Sequence, residues 1–236
     1  DYYRSNNADL QAAYGEDETK LYNHFLNYGI KEGRRGNAVF DIKYYLSANA
    51  DLKAAYGTDY VRGMKHYLNY GYKEQRVTAK PVDIGTNFYA NITVSGTKLN
   101  LSLSGSNAIV NNASGNLSQV WKFVRQSDGS YNIINQQTDQ ALDVTNGVAT
   151  SAANVQLYKV DGTKAQKWYI YQVNGGYVLR AACSGGCVLD LAGGSKKDNT
   201  NIQQYTYNGT SAQKFSITKV ELDKTQVVYH VASPYN

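Results

Sequence analysis

Glutamine followed two residues later by an aromatic occurs at three evenly spaced places: Gln119-Val120-Trp121, Gln166-Lys167-Trp168 and Gln213-Lys214-Phe215. Both intervals are 47 residues (166 − 119 and 213 − 166). The last two copies agree over a longer stretch, because NVQLYKVDGTKAQKW at 154–168 returns as NIQQYTYNGTSAQKF at 201–215. A fixed period of this length marks supersecondary units that bury a shared core. Short runs such as YNIIN, VQLYKV, KWYIYQV and YVLRA, separated by Gly, Asn and Asp, read as strands. Three equal units of about four short strands each are expected around a pseudo-threefold axis, with Trp121, Trp168 and Phe215 in the core. Such a repeat can serve a core alone, a duplicated binding site, or an active site with a decoy copy.

A different period governs the N-terminal part. YYRSNNADLQAAYG at 2–15 returns as YYLSANADLKAAYG at 44–57, and HFLNYGIKEGR at 24–34 returns as HYLNYGYKEQR at 66–76, each 42 residues on. The local chemistry is helical. Asp41 and Asp59 stand where N-caps belong, and Gly57 and Gly71 where a helix is expected to stop. Val61, Met64, Tyr67 and Leu68 fall on one helical face. Each copy reads as two or three short helices that bury too little alone, so neighbouring copies are expected to stack. His24 and His66 are equivalent positions with no second donor at i+3 or i+4, which favours a packing or hydrogen-bonding role over metal ligation.

The regimes change at Pro81. The chain divides into helical repeats at 1–78, a linker at 79–85, a β domain at 86–220 and a tail at 221–236, giving an α plus all-β multidomain protein. The second repeat has the lead-in FDI at 40–42 and the first does not, so the chain begins inside a repeat. It opens on Asp1 rather than Met, and sequence upstream is expected.

With 42% hydrophobic and 18% charged residues, the composition suits a folded protein. Tyrosine outnumbers phenylalanine 22 to 5, favouring surfaces that are adhesive yet wet. The net charge of +5 is spread evenly: residues 1–80 hold 12 basic and 10 acidic side chains, residues 81–236 hold 12 and 9. The concentrated basic footprint of a nucleic-acid binder is missing. No apolar run approaches the ~20 residues of a membrane helix. Neither a metal nor another cofactor is called for.

The three Q-x-aromatic signatures, with ALDV, VLDL and VQLY elements between them, make residues 86–220 resemble the ricin B-chain type of β-trefoil lectin. Such domains also serve as carbohydrate-binding modules of bacterial glycosidases. The resemblance implies a sugar site in the second lobe from Asp143, Gln156, Tyr158 and Gln166, and one in the third lobe from Asp190, Gln203, Tyr205 and Gln213. Relatives often carry Asn just before the motif's Ala-Gln; Lys164 and Ser211 stand there instead, with Asp161 and Asn208 as candidate substitutes. In the first lobe Leu99-Asn100-Leu101 takes the place of L-D-V, and Ile109 and Asn111 replace the glutamine and the ring, so that lobe is expected to be structural. The implied partners are glycans, of galactose type or other pyranosides, on a polysaccharide or a host glycoconjugate.

The physical chemistry of this set agrees. Gln156 and Tyr158 are two apart on a strand and share a face. An ionised Asp accepts two hydroxyls in a fixed fork, and an exposed Tyr offers a flat wall to a pyranose. Catalysis is not expected, since Asp143 and Asp190 lie in different lobes, beyond the ~5–9.5 Å of a glycosidase pair. No nucleophile–base set appears, and His230 lies in the tail. The alternative is an interaction module whose trefoil has lost sugar binding.

The helical segment resembles short tandem repeats of bacterial secreted and surface proteins, which implies a secreted or cell-surface parent. Cys183 and Cys187, in AACSGGCVLD, fit either a disulfide-closed hairpin, contributing roughly 2 kcal/mol, or two reduced thiols. The extracellular resemblance favours the disulfide.

Overall fold

The computed structural model describes residues 2–222; the tail beyond Leu222, including His230, lies outside the described residues. Each 42-residue copy forms three short helices: α1 (Tyr2–Ser5), α2 (Ala8–Tyr14) and α3 (Glu18–His24), then α4 (Ile42–Ala48), α5 (Ala50–Tyr56) and α6 (Tyr60–His66). Asp41 caps α4 by accepting from the Lys43 and Tyr44 amides, and Asp59 caps α6 through the Arg62 amide. Gly57 ends α5 with φ of 54°.

Gly71 plays another role. α3 and α6 each run into a π-helical turn, Phe25–Gly29 and Tyr67–Gly71. Gly29 and Gly71 lie in these turns, where a Cβ would collide with the phenolic oxygens of Tyr3 and Tyr45. Those phenols hydrogen-bond Nδ1 of His24 and His66 at 2.9 Å, so both imidazoles are locked packing groups. The wider turn also rotates Leu68 off the α6 face, leaving it 63% exposed while Met64 and Tyr67 pack inward.

The two copies touch, with Gly33 of the first against Lys43 and Tyr60 of the second, but among the described residues they share no hydrophobic core. Tyr3, Leu10 and Leu21 form one core, and Phe40, Ile42, Tyr45, Leu46 and Leu52 another. Each copy is clamped by its own bidentate pair, Arg34 on Asp9 and Arg76 on Asp51, all at 2.8 Å. The second copy finds its neighbour in the β domain.

That domain contains twelve strands among the described residues: β1 (Asn87–Val94), β2 (Leu99–Ser104), β3 (Asn107–Asn112), β4 (Trp121–Arg125), β5 (Tyr131–Asn135), β6 (Ala141–Val144), β7 (Ala153–Tyr158), β8 (Trp168–Val173), β9 (Gly176–Ala181), β10 (Cys187–Leu191), β11 (Thr200–Thr206) and β12 (Phe215–Val220). Antiparallel pairing runs β1-β4-β5-β8-β9-β12 and back to β1, a closed six-stranded barrel. The hairpins β2–β3, β6–β7 and β10–β11 cap one end, with β3, β7 and β11 pairing mutually. This is a β-trefoil of three four-stranded lobes. Trp121, Trp168 and Phe215 are fully buried in its core. The indoles of Trp121 and Trp168 donate to the Leu101 and Leu142 carbonyls at 3.1 and 2.8 Å.

Asn107, Asn154 and Asn201 close the cap. Each lies 47 residues from the next, and their amides form a ring: Asn154 donates to Asn107 (2.8 Å), Asn107 to Asn201 (2.8 Å) and Asn201 to Asn154 (3.0 Å).

Residues 79–85 are packed rather than tethering. Ala79 is buried with Val39 against Tyr169, Tyr171, Val178 and Val188 on the outside of the barrel, and Val82 and Ile84 pack on the trefoil core. The fully buried Arg180 donates to Thr78 Oγ1 (2.7 Å) and the Arg76 carbonyl (3.3 Å). No carboxylate pairs with this cation among the described residues. Its solvation is therefore supplied by the helical segment. Thr78→Val, nearly isosteric, should lower stability by about 1–3 kcal/mol through loss of that acceptor, seen as an earlier urea midpoint with an unchanged slope.

Cys183 and Cys187 are both free, buried thiols, so the expected disulfide is absent. Their sulfurs have separate surroundings. Cys183 packs into the trefoil core, whereas Cys187 Sγ faces the Ala149 carbonyl at 3.8 Å. The glycines between them serve docking: a Cβ on Gly185 would meet the Tyr72 carbonyl at 2.7 Å, and one on Gly186 the Tyr67 hydroxyl at 3.3 Å. Burial pushes the Cys183 thiol up to about 11, which suppresses thiolate reactivity. Alkylation followed by mass spectrometry should label both cysteines only after unfolding, without prior reduction.

Candidate functional site

Strand register brings the sequence-derived residues together. Asp143 on β6 lies opposite Gln156 on β7, and Asp190 on β10 opposite Gln203 on β11. Gln156 Nε2 donates to Asp143 Oδ1 at 3.0 Å, and Gln203 Nε2 to Asp190 Oδ1 at 2.8 Å. Two residues further along β7 and β11 stand Tyr158 and Tyr205, 44% and 40% exposed. Each Asp strand leaves by a left-handed pair, Asn146-Gly147 and Gly193-Gly194, with φ of 60–63°. Gly and Asn are the residues that adopt this conformation at least cost. The second and third lobes thus repeat one geometry.

The aspartates are only 5% exposed. Burial raises the pKa of each. Gln156 and Gln166 oppose the shift at Asp143, and Gln203 and Gln213 oppose it at Asp190. A carboxylate with a raised folded-state pKa stabilises the fold below its unfolded value and loses that contribution as pH rises through the folded value. Near neutrality each ionised aspartate therefore burdens the fold. Asp143→Asn and Asp190→Asn should match or exceed the parent in stability at pH 7, the difference vanishing as pH falls below the ordinary value of 3.8; denaturation curves at both pH values check this.

Gln166 and Gln213 are fully buried, which corrects their assignment as sugar contacts. They hang the loops that follow β7 and β11. Gln166 Oε1 accepts from the Asp161 amide (2.9 Å) and its Nε2 donates to the Lys159 carbonyl (2.8 Å). Gln213 does the same with Asn208 (2.8 Å) and Thr206 (3.0 Å). Gln119 repeats the brace in the first lobe with Ser114 and Asn112, both at 2.9 Å. Asp161 and Asn208 are exposed on those loops, each closing a turn by accepting from the amide two residues on, Thr163 or Thr210. Lys164 is exposed too, but its ammonium reaches Gln75 of the second helical repeat at 3.3 Å.

The first lobe needs realignment. Ser102, not Asn100, lies opposite Ile109, the position equivalent to Gln156 and Gln203. The indole bonds agree, since Leu101 accepts from Trp121 as Leu142 does from Trp168. Leu101-Ser102-Leu103 is therefore the counterpart of Leu142-Asp143-Val144, in a shorter hairpin. Asn100 is a buried structural residue, accepting from Thr93 Oγ1 at 2.7 Å. With Ser102, Ile109 and Asn111, this lobe has neither the carboxylate nor the ring. The sequence reading missed the asparagine ring, for which the 47-residue spacing was the available signal; the register of the shortened hairpin left no such signal.

A closed six-stranded barrel with a three-hairpin cap, and a repeated Asp–Gln–Tyr cluster, define a trefoil of the lectin class. A family model described as ricin-type beta-trefoil lectin domain-like matches residues 82–158, 117–205 and 164–236, and the chain belongs to that family. A designed threefold-symmetric protein, ThreeFoil, is similar at 29% identity and a TM-score of 0.53, over 56% of this chain and 99% of that one. A Polyporus squamosus lectin, crystallised with the human-type influenza-binding epitope Neu5Aca2-6Galb1-4GlcNAc, is 19% identical with a TM-score of 0.51, over 58% of this chain and 50% of its own. A Macrolepiota procera ricin B-like lectin, in complex with lactose, is 14% identical with a TM-score of 0.52, over 59% of this chain and 100% of its own. No curated protein sequence matches the chain.

Proposed function

We propose that this protein binds carbohydrate through two sites, one in the second lobe and one in the third, and that it is a binding module rather than a catalyst. The observation that carries this reading is the asymmetry among lobes built on one backbone plan. Two lobes keep a near-buried Asp tied to a Gln beside an exposed Tyr, while the first lobe meets the demands of the fold with Ser102, Ile109 and Asn111. An aspartate that loads the fold near neutral pH has no structural reason to be kept twice. Gln156 and Gln203 each hold one carboxylate oxygen, while Gln166 and Gln213 act on the same carboxylates from below. The acceptor capacity left on each carboxylate can take sugar hydroxyls while the Tyr ring stacks on a pyranose face.

The glycan is of galactose type or another pyranoside, on a polysaccharide or host glycoconjugate, and the module belongs to a secreted or surface-attached parent. Lectin relatives crystallised with galactose-containing ligands support the first part. The repeat resemblance supports the second. A monosaccharide of roughly 12 heavy atoms at about −0.3 kcal/mol per atom gives a site near −4 kcal/mol, which is millimolar. Two such sites on one rigid domain gain ~10²-fold on a multivalent surface when both engage.

Tyr158→Ala or Tyr205→Ala alone should sharply weaken retention on a glycan surface, while the other site keeps its monosaccharide affinity. The double variant should fold and bind nothing on a glycan array. Full binding by the double variant would remove this assignment.

A further inference from the structure

Between the first helical repeat and the third lobe lies a cleft of about 920 Å³. Tyr2 and Arg4 form one side, Tyr207, Asn208 and Lys214 the other, with Gln172 contributing from the barrel. Asn208 sits on the loop hung from Gln213, the glutamine that also bears on Asp190. The cleft and the third-lobe site thus share the loop that Gln213 suspends. The cleft's volume is near the upper end of the ~300–1,000 Å³ typical of ligand pockets, more than one pyranose fills.

Charge narrows the occupant. Among the described residues, the cleft is lined by Arg4, Lys214, neutral amides and hydroxyls, with no carboxylate. Arg4 is engaged by Glu16 at 3.0 Å, whereas no carboxylate pairs with Lys214 among the described residues. The Arg35 guanidinium lies 5.6 Å over the Tyr2 ring but is paired with Asp41 at 3.6 Å, so the charge of the cleft rests on Lys214. The second-lobe loop has a different surround, because there Lys164 is already drawn onto Gln75.

We propose that this cleft extends the third-lobe site and takes the further residues of an oligosaccharide bearing a carboxylate or sulfate group. The inference rests on the glycan-binding reading above. The Tyr2 and Tyr207 rings supply stacking faces, Asn208 and Gln172 supply amides for hydroxyls, and Lys214 supplies the counter-charge. The helical repeat becomes one wall of a sugar site and sets glycan length and charge preference. The two lobes then differ in ligand: a terminal sugar in the second, an acidic oligosaccharide in the third.

The test uses the intact protein on an immobilised panel of monosaccharides, neutral oligosaccharides, and oligosaccharides carrying sialic acid, uronate or sulfate. Acidic oligosaccharides should be retained best. Lys214→Gln, with parental melting behaviour, should weaken that retention about tenfold or more and leave monosaccharide retention unchanged. Tyr2→Ala should reduce retention of all oligosaccharides and spare monosaccharides. Equal retention of acidic and neutral ligands, or a Lys214→Gln effect common to every sugar, would overturn this inference and leave the lectin reading standing. Retention of no sugar of any size would overturn the lectin reading and the cleft with it.

Discussion

The structure depends first on barrel closure. Six strands pair in a ring, so the β domain has no open edge there and every inward side chain meets a common core. Closure by three like units requires matching groups at the axis, and the Asn107–Asn154–Asn201 ring meets that demand. Each amide gives one hydrogen bond and takes one, so the loss of any member strands its two neighbours. The three lobes are free to diverge everywhere except at such shared positions.

Divergence is what separates the lobes chemically. The Q-x-aromatic unit is kept in all three because its glutamine braces a loop and its aromatic fills the core. Asp143 and Asp190 answer to a different requirement. They sit in the outer hairpins, away from the ring-closing strands, and cost folding free energy when ionised. Residues that every lobe needs and aspartates that only two lobes carry thus occupy the same 47-residue period.

Much of this was legible in the sequence. The two periods gave the α plus β division, two or three helices per repeat and the core aromatics, and the family resemblance grouped Asp143 with Gln156 and Asp190 with Gln203. What failed did so where spacing does not determine geometry. The shortened first hairpin moved the equivalent position from Asn100 to Ser102, because register follows strand pairing rather than distance from Gln119. The π-helical turns put Gly71 and Leu68 in unexpected roles, since a five-residue turn shifts the face that a 3.6-residue period assigns. Two cysteines four apart suggested a disulfide, yet their sulfurs face different neighbours. Packing between the helical repeats and the barrel left no periodic trace at all, and Arg180 gave no sign of being buried.

The glutamine braces have a consequence for how such a protein changes over evolutionary time. The loops after β7 and β11 are held from below by main-chain amides and carbonyls, so their attachment does not depend on which side chains they carry. Between the two lobes, Lys159-Val160-Asp161 has already become Thr206-Tyr207-Asn208 with the same suspension. Substitutions there can redraw the rim of a binding surface while the scaffold below stays constant. A single gene can therefore sample new ligands one loop at a time, with folding insulated from the search.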